Sequence, residues 1–259
     1  MTTIQIRTVD VAQYIHPLRE GGSLPAIVKG DDDFLYVLKF RGAGQGAKAL
    51  IAEFIGGELA RAMNLKVPEL VFMTLDDSFS KTEPDEEIQD LLKFSVGLNL
   101  GLHFLSGAIT FDPLVEDVDP LIASKIVLLD SLISNIDRTA KNTNLLQWNK
   151  ELWVIDNGAS LYFHHDWDNW ESHLTRTFPH IKNHVLLPQA TKLEEAAAEI
   201  KRLIHPDILT EIISNIPEEW LFSESNSLST SEMRSAYAKF IHAKLAMIDL
   251  LIKEAADAR

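Results

Sequence analysis

The chain has 259 residues, 46% hydrophobic and 24% charged, enough for one large domain or for two lobes around a sizeable core. A formal charge of -14 without a basic cluster argues against a nucleic-acid partner, and the lack of cysteine rules out disulfides and thiolate metal sites. No apolar run approaches the roughly 20 residues that span a bilayer, and "MTTIQIRTVDVAQY" has no basic start followed by a long apolar run, so a cytoplasmic protein without a membrane partner is expected.

Early in the chain, Gly21, Gly22 and Ser23 precede an apolar run. Two adjacent glycines let backbone N–H groups turn toward an anion, which makes them candidates for a nucleotide phosphate, although such pairs more commonly mark plain turns. "PAIVKGDDDFLYVLKF" predicts two strands around a polar turn, over 25–40. In the second strand Leu35, Val37 and Lys39 share one face, and Phe34, Tyr36, Leu38 and Phe40 the other. A lysine at the end of so apolar a strand needs a carboxylate or phosphate partner. Apolar residues at helical spacing predict a helix over 47–63, and its Glu53, nearer the middle than Glu58, is the expected partner.

Between strand and helix, Gly42-x-Gly44-x-x-Ala47 matches a relaxed dinucleotide fingerprint. The rest of the chain lacks the alternating strand–helix pattern that such an oxidoreductase needs. "LKVPELVFM" predicts a further strand, and the acidic "DDSFSKTEPDEEIQD" a connector. The expected division is therefore a strand-rich lobe over 1–75 and a helical lobe over 76–259, an α+β fold with segregated parts.

In the second part, "DPLIASKIVLLDSLISN" (119–135) is apolar nearly all round and predicts a buried helix. "NLLQWNKELWVID" predicts a hairpin turning at Asn149-Lys150, with Trp148 facing Glu151 and Leu145 facing Val154. Carrying that ladder outward puts Thr143 opposite Asp156 and Asn142 opposite Asn157. Asn142 and Asp156 would then meet at the open end as a hard-oxygen pair suited to Mg²⁺. Asp137 would share the same loop. Capping boxes are expected at Thr191/Glu194 and at Ser229/Glu232, the latter opening a long helix over about 230–256. "YFHHDWDNW" holds His164 and His165, but adjacent histidines rarely converge on one metal.

Taken singly, Asp137 and Asp156-Asn157-Gly158 are ordinary loop and turn residues. Together, Asp-x4-Asn, a hairpin and an Asp at its exit form the spacing used by protein-kinase-type folds. The chain resembles the HipA-like kinases on "LYVLKFRG", "AEFIGGELARAMNLKVPE", "SNIDRTAKNTNLL" and "LWVIDNGASL", over about residues 20–165. The resemblance implies two lobes with ATP and Mg²⁺ between them. It implies that Lys39 contacts phosphates beside Glu53, that Asp137 is the catalytic base, and that Asn142 and Asp156 bind metal. The expected activity is phosphotransfer to a hydroxyl of a protein or small molecule. Asn157 stands where a kinase would carry Phe. The alternatives are a pseudokinase-like binding module, which the intact Lys39/Asp137/Asn142/Asp156 set disfavours, and the dinucleotide oxidoreductase.

Overall fold

The computed structural model describes residues 4–18, 24–222 and 228–259. Strands β1 (Thr8–Pro17), β2 (Ala26–Gly30), β3 (Leu35–Lys39), β4 (Leu70–Leu75) and β5 (Gly97–His103) close into a barrel in the order β1-β2-β3-β5-β4. All pairings are antiparallel except β1 with β4. The alternation in β3 works as expected: Tyr36, Leu38 and Phe40 fill the barrel with Val9, Val28, Val71 and Met73. Val37, on the opposite face, packs against the second, larger core.

That larger core is built around two helices, α1 (Ala47–Ala62) and α4 (Pro120–Ile133). Both are buried over most of their length, as their all-round apolar sequences require. Asp119 caps α4, its carboxylate accepting from the N–H groups of Leu121 and Ile122. Gly56 lets α1 approach the segment after the hairpin, because a Cβ built there would lie 2.5 Å from Cβ of Asn157.

The boundary expected at residue 75 is corrected by β5. This strand pairs with both β3 and β4, so the strand-rich lobe runs on to His103. The acidic segment folds inside that lobe, as α2 (Ser78–Thr82) and α3 (Glu86–Phe94), instead of linking the lobes. Ile88 and Leu92 of α3 cover the barrel core, and Asp85 caps the helix.

In the helical lobe, β6 (Ile109–Thr110), β7 (Leu145–Trp148) and β8 (Glu151–Val154) form a small sheet. The β7–β8 register is the expected one, Trp148 facing Glu151 and Leu145 facing Val154. Asn149 and Lys150 have φ of 51° and 65°, the left-handed pair of a tight hairpin turn. The ladder does not continue as expected, however. After Ile155 N–H donates to Asn144 O, both Asn144 (φ 50°) and Asp156 (φ 58°) turn left-handed, so strand alternation ends there.

Helices α5 (Leu193–Leu203), α6 (Pro206–Ser214), α7 (Glu218–Leu221), α8 (Thr230–Ala246) and α9 (Ile248–Ala258) complete the lobe. The Thr191/Glu194 box does not form. The helix begins later, with Lys192 as its cap residue, and the Lys192 N–H is satisfied by Ser124 Oγ at 2.9 Å. The Ser229/Glu232 box does form. The long terminal helix is broken at Met247, whose ψ of 19° separates α8 from α9. Among the described residues, no helix is long and apolar enough to cross a membrane.

A further contact ties the lobes. Trp220 of α7 sets its ring edge-on to Phe72 of β4 and donates its indole N–H to Leu98 O at 2.9 Å.

Gly56→Ala tests how tightly α1 is pressed. Helix propensity alone would make this change stabilising by about 1 kcal/mol. Contact with Asn157 should reverse the sign, for a net loss of about 1–3 kcal/mol in urea unfolding.

Candidate active site

The site forms where β3, α1, the loop after α4 and the exit of β8 meet. Lys39 ends β3 and reaches two carboxylates, Glu53 Oε2 at 2.8 Å and Asp156 Oδ1 at 2.7 Å. Its side chain is 14% exposed, that of Glu53 1% and that of Asp156 48%. Burial works against the ammonium charge, but Asp156 and Glu53 outweigh it and hold the Lys39 pKa above its ordinary value. The Lys39 charge in turn holds the Asp156 carboxyl below the usual carboxylate range. Glu53 is fixed by a second contact, since its Oε2 accepts the Asn157 N–H at 2.7 Å. The preference for Glu53 over Glu58 is met by geometry: Glu58 pairs with Arg61 instead.

Asp137 lies in the loop after α4, with its N–H donating to Asn135 Oδ1 at 3.0 Å. Its Oδ2 accepts from two amides, Asn142 Nδ2 at 2.8 Å and Asn144 Nδ2 at 3.1 Å. The loop thus folds back so that Asp137 and Asn142 touch. Tyr162 is on the same side, its phenol pKa raised by burial and by the Asp137 charge.

Beneath these residues lies a buried charge network to which the sequence analysis assigned no role. Arg138 and Asp130 are both 0% exposed and pair through Nε and Oδ2 at 2.6 Å. Arg138 Nη1 donates to Ile155 O at 2.9 Å and also to Asn144 O, and Nη2 donates to Asn157 Oδ1 at 2.8 Å. This arrangement replaces the expected pairing of Asn142 with Asn157: one guanidinium bridges both strands at the open end. Burial opposes the Asp130 charge, but Arg138 and His184 hold its carboxyl below the usual range. Asn157 is buried and polar because its surroundings are Arg138, Glu53 and Ser160, whose hydroxyl donates to Asn157 O.

The signal for this network was present in "VLLDSLI". A carboxylate in an otherwise apolar buried helix must have a cationic or hydrogen-bonding partner. Asn144, the second donor to Asp137, carried no comparable signal. Gly21, Gly22 and Ser23 lie outside the described residues. Gly42, Gly44 and Ala47 join β3 to α1, but the strands that α1 connects, β3 and β4, are not neighbours: β5 pairs between them, antiparallel to both, whereas a dinucleotide fold sets its parallel strands side by side. His164 is buried in the helical lobe, with Nδ1 3.0 Å from the Tyr237 hydroxyl.

The model of the HipA-like kinase family matches residues 11–249. The chain belongs to the HipA-like kinase family. Two solved structures share the kinase fold. The Helicobacter pylori proinflammatory kinase CtkA is 14% identical at TM-score 0.55, over 96% of this chain and 99% of that one. The Golgi casein kinase with Mn/ADP bound is 9% identical at TM-score 0.51, over 99% of this chain and 74% of that one. No curated protein matches by sequence. Within this HipA-like kinase, Lys39, Glu53 and Asp156 form one ion cluster, and Asp137 and Asn142 one hydrogen-bonded pair.

The Lys39–Asp156 pair makes a pH prediction. The Asp156 pKa is depressed on folding, so its stabilisation is complete above the unfolded value of about 3.9 and is lost as pH falls through the folded value. The stability gap between wild type and Asp156→Asn should be level from about pH 8 to 5 and close below about pH 4 in acid-titrated urea melts.

Proposed function

We propose that this chain is an ATP- and Mg²⁺-dependent phosphotransferase acting on a hydroxyl of a protein or small molecule. The observation that carries the reading is the double salt bridge of Lys39. One ammonium is shared between a buried helix carboxylate and a half-exposed carboxylate at the hairpin exit, which fixes a cation beside an outward-facing acidic group. Glu53 holds Lys39 in place, and Lys39 would contact nucleotide phosphates.

The residues present fit a divalent cation. Among the described residues, no three His, Asp or Glu side chains converge into a metal cage. Mg²⁺ usually takes only one or two protein oxygens and completes its shell with phosphate and water. Asp156, half-exposed, and Asn142, whose amide nitrogen is turned to Asp137 so that its oxygen is left for another partner, would be those ligands. The cation, when bound, would neutralise charge on the transferred phosphoryl group. The casein kinase neighbour with Mn/ADP bound lends support to that pairing of nucleotide and divalent ion.

Asp137 would be the base. Two amide N–H donors occupy its Oδ2, which orients the carboxylate and directs Oδ1 to the acceptor hydroxyl. Catalysis would then be mostly positioning and charge neutralisation.

Two measurements test the reading. Saturating ATP with Mg²⁺, at about 100 times Kd, should add about 2.7 kcal/mol to wild-type stability in thermal melts, and the gain should vanish in Asp156→Ala. No gain with ATP, or a gain with NAD in its place, would contradict it. Asp137→Ala should keep that Mg²⁺-dependent gain and lose phosphotransfer, whereas robust transfer by the variant would refute Asp137 as the base.

A further inference from the structure

His184 lies far along the chain from the hairpin, just after a short 3₁₀ turn over Pro179–Asn183. Its ring is buried and both nitrogens are engaged. Nδ1 accepts the Leu186 N–H at 3.0 Å, so Nε2 carries the hydrogen and donates to Asp130 Oδ2 at 2.8 Å. The same Oδ2 accepts Arg138 Nε at 2.6 Å. On its other oxygen, Asp130 accepts Asn135 Nδ2 at 3.1 Å. The backbones are tied as well: Thr139 and His184 form an isolated antiparallel bridge, and Val185 N–H donates to Arg138 O at 3.1 Å.

A chain of contacts therefore runs from His184 through Asp130 to Arg138. It ends on Asn144 O, Ile155 O and Asn157 Oδ1, which flank Asp156 and follow Asn142 in the loop. If His184 stops donating, Asp130 loses one of the contacts that fix its orientation. Arg138 then loses the fixed counter-charge that aims it at the hairpin mouth.

We propose that His184 is a positioning residue for the divalent cation. Through Asp130 and Arg138 it holds the mouth of the hairpin at the separation that Asn142 and Asp156 need to share one ion. This role rests on the assignment of Asn142 and Asp156 as cation ligands. Groups behind the ligands of a metal site commonly tune affinity in this way.

Two substitutions separate positioning from simple space filling, because both remove the ring. His184→Asn keeps a polar group near Nδ1 but cannot reach Asp130. His184→Gln carries an amide N–H with about the reach of Nε2. The readouts are Mn²⁺ binding in the presence of ADP, by electron paramagnetic resonance of the free ion, and ADP binding without metal, by calorimetry. His184→Asn should weaken Mn²⁺ binding on the order of tenfold and leave metal-free ADP binding unchanged, and His184→Gln should recover to within about twofold of wild type. Unchanged Mn²⁺ binding in His184→Asn, or equal losses in both variants, would overturn the positioning role. If His184→Asn does not fold, Arg138→Lys is read in its place. That variant keeps a charge facing Asp130 but cannot reach both hairpin carbonyls, so the same metal-selective loss is expected and normal Mn²⁺ binding would overturn the role. Wild type failing to bind Mn²⁺ with ADP would instead overturn the cation site itself, and the role of His184 with it.

Discussion

The buried guanidinium of Arg138 is the constraint on which the site depends. It is taken out of water beside one carboxylate, Asp130, and its remaining donors are spent on the two strands of the hairpin and on Asn157. Such a pair adds little net stability, since desolvation consumes most of the attraction, but removing one partner costs about 3–5 kcal/mol. Its value is geometric. Arg138 directly follows Asp137, and its contacts end beside Asp156, so one planar group relates the expected base to the expected metal ligands. Arginine suits this role better than lysine would, because its fixed fork reaches several acceptors at once.

The second coupling crosses between the lobes. Glu53 accepts both Lys39 Nζ and the Asn157 N–H, so α1 is tied at one point to the barrel and to the segment after the hairpin. Gly56, one turn further on, gives α1 the room to lie against Asn157. Trp220 and the Arg41–Glu219 pair at 3.3 Å add further ties between the barrel and the helical lobe. A shift of α1 would therefore disturb Lys39 and Asp156 together. Glu53 and Asp156 share the single ammonium of Lys39, an excess of negative charge that a divalent cation would offset.

Much of this was legible in the sequence where local rules dominate. Asn149-Lys150 set the hairpin register, and strand alternation placed Lys39 opposite the barrel interior. A lone lysine in an apolar strand demanded Glu53. Elsewhere, tertiary contacts override local signals. β1 bends through two register irregularities, so its apolar residues do not alternate cleanly. β5 reads poorly because of glycines, yet Gly101 is required where a Cβ would come within 2.5 Å of Met73 Sδ. An acidic stretch resembled a linker, but Ile88 and Leu92 cover the barrel from it. Arg138 and His184 carry no local signal of their role, because only the folded chain brings Asp130 to them from eight and 54 residues away.

The proposed site requires Asn142 and Asp156 to share one cation at a hairpin mouth held by Arg138. Anomalous diffraction from crystals grown with Mn²⁺ and a non-hydrolysable ATP analogue would test this most directly. The expected result is a Mn²⁺ peak bonded to Asp156 and Asn142, with Lys39 on the nucleotide phosphates and the Arg138 contacts intact. A Mn²⁺ peak away from both side chains, or a nucleotide seated on the Gly42–Ala47 loop, would contradict it.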